Sequence, residues 1–191
     1  MNIVLFGAPG AGKGAQAERI ASVYGMVHLS TGEMLRSAIA SGSDVGARAK
    51  EIIDRGELIS DDIIVKIVDA RMDEGDCVKG VILDGFPRTV AQAEALDEML
   101  AAKGRSLDHV IEIEMDESAL FARIANRASE RRRIGTARSD DNAKTLRRRL
   151  AVYHENSAPL LPYYRAKCLL RSVDGMASIE EVATQIDNLL G

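Results

Sequence analysis

The segment GAPGAGKG, residues 7–14, places four glycines and one lysine directly after a short apolar run. Glycine adopts positive φ angles easily and leaves its backbone N–H groups unobstructed, so several of them can surround one anion. Lys13 adds a positive charge, and the start of a following helix also attracts anions. The spacing G-x-x-x-x-G-K is typical of a loop that binds nucleotide phosphates. An ordinary glycine-rich turn with a surface lysine is the alternative, but the flanking strand and helix patterns favour phosphate binding.

Asp84 ends the apolar run GVILD and is followed by GFPR. The carboxyl end of a parallel strand faces the ligand crevice of an α/β sheet, so an aspartate there can hold Mg²⁺ through water. Such a carboxylate is needed because Gly14 stands where these loops usually have the Ser or Thr that ligates magnesium. Asp84-Gly85 could instead mark a hairpin turn. Pro87 argues against that alternative, because a proline would interrupt the returning strand.

Basic residues concentrate in one part of the chain. From Arg127 to Arg149 there are eight arginines and one lysine against three acids, a local charge of +6 in a chain whose net charge is −4. Such a patch in an acidic protein requires an anionic partner or internal pairing. Arginine suits phosphoryl oxygens because its planar fork donates two parallel hydrogen bonds. We interpret Arg131–Arg133 and Arg147–Arg148 as solvated helix faces and expect only a minority of the charges to contact a ligand.

The elements that must position these groups alternate along the chain. Short apolar runs predict five strands, at Asn2–Phe6, Met26–Leu29, Gly80–Leu83, His109–Glu114 and Cys168–Val173. Segments with apolar residues at helical spacing lie between them. This alternation implies a parallel sheet with helices on both faces. The predicted fold class is therefore α/β, with a five-stranded parallel sheet.

Two segments depart from the alternation. Ser30–Ile59 reads as helices without a strand and could form a small appended helical unit. The stretch RASERRRIGTARSDDN, from Arg127 to Asn142, is polar and basic without helical periodicity. That pattern is typical of a mobile loop or lid rather than a core element.

Composition excludes several classes of protein. A chain of 191 residues suits one medium domain. A net charge of −4 and an aromatic content of 4% argue against a nucleic-acid binder. Cys77 and Cys168 lie far apart without metal-ligand spacing, which favours a reducing compartment. We see neither an apolar stretch of about 20 residues nor a signal peptide, and so expect a cytoplasmic protein without membrane contact, by default a monomer.

Four motifs occur together in one order: GAPGAGKG, LSTGEMLR at 29–36, LDGFPRTVAQ at 83–92 and RSDDN at 138–142. With them the chain resembles the adenylate kinases nearly from end to end. The resemblance implies the reaction MgATP + AMP ⇌ MgADP + ADP on a P-loop NTPase-type fold. It also implies a core at 1–29, 60–125 and 143–191, an AMP-binding helical unit at 30–59 and a short lid at 126–142.

The resemblance further implies roles for the matching residues. The implied ATP site comprises Gly10, Ala11, Gly12, Lys13, Gly14, Ala15, Arg127 and Ala177. The implied AMP site comprises Thr31, Arg36, Glu57, Leu58, Ile59, Gly85, Phe86, Pro87, Arg88, Gln92, Arg138 and Arg149. The implied catalytic set comprises Lys13, Arg88, Arg127, Arg138 and Arg149. Within the AMP site, Gln92 is expected to read the adenine edge.

The chain departs from the family pattern at Ala15, where relatives usually have threonine. A hydroxyl contact to the α-phosphate is then lost, which is expected to weaken ATP binding by about 0.5–1.5 kcal/mol. The lid segment contains neither Cys nor His, so no zinc site is expected there. No side-chain base is expected either, because a phosphate monoester with a second pKa of ~6 is already ionised near neutral pH. Transfer would depend on alignment and charge neutralisation.

Two other functions are compatible with parts of the sequence. A nucleoside monophosphate kinase for UMP, CMP or GMP would share most motifs, but Thr31 and Gln92 favour AMP, since a Gln amide can donate and accept along an adenine edge. A P-loop switch or nucleic-acid-dependent NTPase would use the basic segment on a phosphate backbone. The net charge of −4 disfavours that second function.

Overall fold

The computed structural model describes residues 1–40, 50–52, 54–55, 57–136 and 142–191. Five parallel strands form one sheet: β1 (Asn2–Phe6), β2 (Val27–Ser30), β3 (Val81–Asp84), β4 (His109–Glu114) and β5 (Leu170–Asp174). The predicted α/β class and five-stranded parallel sheet are confirmed. Strands β3 and β5 begin one and two residues later than predicted, because Gly80 and Cys168 have φ angles of 134° and 57°, outside the extended range.

The helices surround the sheet, and several begin at a polar cap. Their bounds are α1 (Lys13–Tyr24), α2 (Thr31–Ala40), α3 (Asp61–Met72), α4 (Val90–Ala102), α5 (Glu117–Arg133), α6 (Ala143–Val152), α7 (Leu160–Ala166) and α8 (Ile179–Leu190). The side chains of Thr89, Asn142 and Ser178 accept hydrogen bonds from the first turns of α4, α6 and α8. A 3₁₀ turn precedes β3 and a π-helical turn joins α6 to α7. Within the ranges described above, no helix is long and apolar enough to cross a membrane.

The strand order β2-β3-β1-β4-β5 determines which loops become neighbours. Strand β1 lies in the middle, with Leu5 paired to Asp84 of β3 and Phe6 paired to Glu112 of β4. Ser30 of β2 is paired to Asp84 on the other side of β3. All strands run in the same direction, so the segments after β1, β2 and β3 emerge side by side at one edge. Crevices at this edge are where open α/β sheets bind ligands.

The core lies on both faces of the sheet. Val4 and Leu83 contribute to the cluster on one face, which includes residues of α3 and α4. Ile3 and Ile111 contribute to the cluster on the other face, with residues of α1, α5 and α8. Because helices cover both faces, neighbouring strand residues are buried on opposite sides, and the strands read as continuous apolar runs.

Helix α5 is longer than the sequence interpretation allowed. The polar segment that was expected to be a loop from Arg127 onward is helical as far as Arg133. Leu120 and Ile124 anchor the helix in the core, and three arginines in its last turn interact favourably with the helix dipole. The helix ends before Gly135, whose φ is 73°. Residues 137–141, including the predicted site residue Arg138, lie outside the described part of the chain.

We expect Ile111→Ala to destabilise the fold strongly. Ile111 is 0% exposed in the central part of the sheet, so truncation removes buried apolar contacts and leaves a cavity. The free energy of unfolding should fall by about 2–5 kcal/mol, measured by urea denaturation. Val78→Ala is the matched control, because Val78 is 82% exposed and its truncation should change stability by no more than about 0.5 kcal/mol. Equal effects in the two variants would contradict the assigned core.

Candidate active site

The glycine loop leaves the end of β1 and returns to the first turn of α1. Gly7, Gly10 and Gly12 have φ angles of 138°, 93° and 100°, which residues with side chains rarely adopt. A Cβ at Gly7 would lie 2.7 Å from the backbone oxygen of Ile113, so the loop packs directly against β4. The loop is therefore restricted to glycine at these points by its backbone path and by close packing.

Lys13 folds back over this loop. Its Nζ donates to the backbone oxygens of Gly7 at 2.7 Å and Ala8 at 3.0 Å. The pKa of Lys13 is lowered to about 8, chiefly by burial; the charge of Asp84 opposes this shift, and the charges of Arg88, Arg127 and Arg149 contribute to it. The ammonium group thus lies within reach of several other cations.

Cations from separate elements converge on this site. Burial lowers the pKa of Arg88, and the charges of Arg149 and Arg36 act in the same direction, with Asp84 opposing them. Arg36 is on α2, Arg88 follows β3 and Arg149 is on α6. Among the groups of the described chain whose charges act on Lys13 or Arg88, Asp84 is the only anion. Several cations that act on one another at one place favour a polyanionic ligand.

Asp84 ends β3 beside the start of α1. A Cβ at Gly14 would lie 3.6 Å from Asp84 Oδ2, so this glycine leaves the carboxylate accessible from the loop side. His28 Nε2 is 3.4 Å from the same oxygen. Burial acts to raise the pKa of Asp84, but the hydrogen bond to His28 and the charges of Lys13 and Arg88 outweigh it, and the pKa is lowered. The carboxylate is therefore ionised at neutral pH and is suited to a cation.

Asp84 is the carboxylate that the described residues offer to a metal ion beside the glycine loop. Over the described residues, no three His, Cys, Asp or Glu side chains cluster so that they could hold a metal ion. Mg²⁺ typically binds to one or two carboxylates together with water and substrate phosphates. Asp84 fits that kind of site.

A cavity of about 50 Å³ opens next to the cations, between α2, α3 and the segment after β3. It is lined by Thr31, Gly32, Leu35, Arg36, Glu57, Leu58, Ile59, Ile64, Gly85, Arg88, Gln92 and Arg149. Nine of these residues belong to the AMP site implied by the sequence resemblance. Gly32, Leu35 and Ile64 were not predicted: Gly32 and Leu35 lie within the LSTGEMLR motif without having been assigned a role, and Ile64 on α3 belongs to none of the motifs. Ligand pockets commonly exceed ~300 Å³, so a nucleotide would extend beyond this enclosed part.

In the wall of the cavity, two glycines allow side chains to approach the backbone closely. Thr31 Oγ1 and Arg88 Nε donate to the backbone oxygen of Gly85 at 2.9 Å and 2.7 Å. A Cβ at Gly85, where φ is 82°, would lie 2.8 Å from Thr31 Oγ1 and 2.9 Å from Arg88 Nη2. The guanidinium of Arg36 lies over Gly32, with Nη1 only 3.2 Å from a Cβ placed there. These contacts hold two guanidinium groups at the same wall.

The remaining residues of the implied AMP site have different positions. Gln92 is 2% exposed, with its amide bonded to Asp61 and to the backbone N–H of Arg88. Phe86 and Pro87 are buried and do not line the cavity, and Phe86 belongs to the core cluster. Their presence in the motif is explained by packing, which fixes the path of the chain between Gly85 and Arg88.

The residues of the implied ATP site lie around the glycine loop. Ala11 is buried beneath the loop, and Ala15 is exposed on the first turn of α1. Ala177 is in the connection between β5 and α8, where it lines an open cavity of about 610 Å³. Arg127 lies on α5 and acts electrostatically on Lys13.

Arg123 is a further residue of this region, which sequence reasoning missed. Its Nη2 donates to the backbone oxygen of Gly175 at 2.9 Å, and its Nη1 would be 3.8 Å from a Cβ at Gly12. Arg123 therefore connects the glycine loop with the segment that carries Ala177. The signal that could have found it is its spacing of four residues from Arg127, which places both arginines on one face of α5.

Comparisons with known proteins identify the family of the chain. The family model described as "Adenylate kinase" matches residues 5–169. A protein of Parvibaculum lavamentivorans named adenylate kinase is 56% identical over 191 residues, which cover 100% of this chain and 92% of the relative. Relatives of the same name from Caulobacter vibrioides and Rhizobium meliloti are 51% and 50% identical, over 100% of this chain and 97% and 100% of their own lengths.

We expect Lys13 to titrate at about pH 8 in the free protein, because burial and neighbouring arginines disfavour its charged form. A bound triphosphate supplies negative charge, so adding ATP should raise this pKa, and ATP binding at pH 9 should take up protons. ¹³C NMR of lysine-labelled protein measures the titration, and Lys13→Met identifies the resonance by its loss. A Lys13 resonance that titrates at the ordinary value of 10.5 without ATP would contradict the assigned environment.

Proposed function

The chain belongs to the adenylate kinase family, and we propose that its glycine loop binds MgATP while the cavity between α2 and α3 binds AMP. The enzyme is a nucleoside monophosphate kinase, which transfers a phosphoryl group reversibly from ATP to AMP to give two ADP. Its general role is in adenine nucleotide homeostasis and nucleotide biosynthesis. One observation carries the site assignment: Arg88 and Arg149, which line the cavity, also act electrostatically on Lys13 of the glycine loop.

On the ATP side, the phosphates would bind the N–H groups of Gly10–Ala15 and the ammonium of Lys13. Positive φ angles at the glycines and the N-terminus of α1 support this assignment. Arg127 would contact the phosphates, and the segment at Ala177 would pack near the base. Ala15 offers a backbone N–H but no hydroxyl, which is the basis for expecting weaker ATP binding than a threonine would give.

On the AMP side, Arg36, Arg88 and Arg149 would bind the acceptor phosphate. Their positions on the cavity wall, and the mutual effect of their charges, support a doubly charged group between them. Thr31 and residues 57–59 would contact the nucleoside, and Gln92 would read the adenine edge. Arg138 would close over the phosphates from the segment outside the described residues.

Asp84 would hold Mg²⁺ through water, together with the phosphates of ATP. The ionised carboxylate beside Gly14 supports this role. The ion would supply neutralisation of phosphate charge and orientation of the transferred group. No step requires a side-chain base, because the acceptor phosphate is already ionised with a second pKa of ~6.

Catalysis would then consist of alignment and charge stabilisation. Lys13, Arg88 and Arg127 would offset the charge that develops on the transferred phosphoryl group, and the electrostatic effect of both arginines on Lys13 supports this role. We further propose the division into a core (1–29, 60–125, 143–191), an AMP-binding unit (30–59) and a lid (126–142) that excludes water when closed. Exclusion of water is needed because water would otherwise compete as the acceptor.

We also propose a cytoplasmic, monomeric enzyme that uses Mg²⁺ without zinc and acts on free nucleotides without nucleic-acid or membrane partners. The support for this comes from composition: a net charge of −4 and two cysteines without metal-ligand spacing.

The direct test is formation of ADP from MgATP with AMP, GMP, CMP or UMP as the acceptor. We expect AMP to be strongly preferred and hydrolysis of ATP without an acceptor to be negligible, because the proposed lid would exclude water when closed. A preference for CMP or UMP would reassign the substrate. ATP hydrolysis that is stimulated by nucleic acid would favour the switch or NTPase function instead.

Arg88→Ala should lower kcat by about 10²-fold or more, because the in-flight phosphoryl group loses a buried guanidinium. The far-ultraviolet circular dichroism spectrum should stay unchanged, since the side chain lies at the cavity wall rather than in the apolar core. Arg132→Ala is the matched control, because Arg132 is exposed on the last turn of α5 and should keep wild-type kcat. A near-normal kcat in Arg88→Ala would rule out the proposed role.

A further inference from the structure

The side-chain amide of Gln92 is held on both of its sides within the protein. Its Oε1 accepts from the backbone N–H of Arg88 at 2.7 Å, and its Nε2 donates to Asp61 Oδ1 at 2.6 Å. Gln92 is 2% exposed and lines the cavity next to α3. Asp61 is the first residue of α3 and was not singled out by any sequence motif.

These two partners permit one orientation of the amide. A backbone N–H can only donate, and an ionised carboxylate can only accept. Turning the amide by 180° would place its NH₂ group against the N–H of Arg88 and its oxygen against the Asp61 carboxylate. Both contacts would then be repulsive in a buried place, where unpaired polar groups are costly.

The Asp61 carboxylate is itself fixed. Its Oδ2 accepts from Thr89 Oγ1 at 2.9 Å. The same hydroxyl accepts from the backbone N–H of Gln92 at 3.2 Å as the cap of α4, so its hydrogen is directed to Asp61. Asp61 therefore links the first turn of α3 to the first turn of α4 while holding the amide.

The orientation decides which hydrogen-bonding groups remain for a ligand. With one N–H bonded to Asp61 and one lone pair bonded to Arg88, Gln92 retains one N–H donor and one acceptor lone pair. Adenine presents an acceptor at N1 and a donor at its 6-amino group, which match. Hypoxanthine presents a donor at N1 and an acceptor at O6. Its donor would therefore face the N–H of Gln92 and its acceptor the lone pair, so neither hydrogen bond would form.

We propose that Asp61 is a specificity-determining positioning residue, which selects 6-amino over 6-oxo purine monophosphates by fixing the amide of Gln92. This proposal rests on the proposed function, in which the cavity binds AMP. Asp61 contacts neither the substrate nor the reacting atoms in this role, and it acts only through Gln92.

The test compares kcat/KM for AMP with kcat/KM for IMP in the wild type and in Asp61→Ala. Truncation leaves Gln92 Nε2 without its buried acceptor, so the AMP-to-IMP ratio should fall by about tenfold or more. The loss should appear mainly as a raised KM for AMP, with the KM for ATP unchanged. Asp61→Ser serves as the second truncation if the alanine variant does not fold.

Two further variants separate positioning from structural support. Asp61→Asn should restore most of the ratio, because its oxygen can accept from Gln92 Nε2 while its NH₂ donates to Thr89 Oγ1. Thr89→Val removes the α4 cap and the second contact to Asp61 but leaves the Asp61–Gln92 contact. It should lower the melting temperature and change the ratio by no more than about twofold.

An unchanged AMP-to-IMP ratio in a folded truncation variant would overturn the proposal, as would an equal loss for AMP and IMP. Failure of the proposed function is distinguishable, since it would appear in the wild type as an absence of preference for AMP.

Discussion

Repulsion among buried cations is the constraint on which the site depends. Lys13, Arg88 and Arg149 act on one another within the described chain, and Asp84 is the anion that opposes them. The lowered pKa of Lys13 is a direct consequence, because the free protein disfavours one more positive charge at this place. In the proposed function, bound phosphates would supply negative charge between these cations and so favour their charged forms.

The order of the strands is what makes this arrangement possible. Central strand β1 supplies the glycine loop, and its neighbour β3 supplies Asp84 and the chain that carries Arg88. Helices α5 and α6 then bring Arg127 and Arg149 from distant parts of the sequence. The apolar clusters on both sheet faces provide the stability that such a site requires. Packing of the core thus supports a site that brings several cations close together.

Sequence reasoning succeeded where the signal is local. The five strands and the glycine loop were predictable because burial and positive φ angles leave a pattern in consecutive residues. Sequence reasoning missed residues that reach the site through a hydrogen bond to a residue far away in the sequence. Arg123 joins the site through Gly175, and Asp61 joins it through a side chain 31 residues away. The helical conformation of Arg127–Arg133 was also missed, because the apolar residues that anchor α5 in the core lie before this segment, at Leu120 and Ile124.

The two kinds of polar interaction in the site have separate tasks. Guanidinium and ammonium groups recognise phosphates, and every nucleoside monophosphate carries the same phosphate, so these cations cannot distinguish one base from another. Discrimination between bases requires directional donors and acceptors that are fixed before the ligand arrives. In the proposed function such groups belong to the network of Gln92, Asp61 and Thr89, which reaches the same cavity as the cations through Gln92. Because that network also joins α3 to α4, the selectivity of the site is coupled to the packing of two helices.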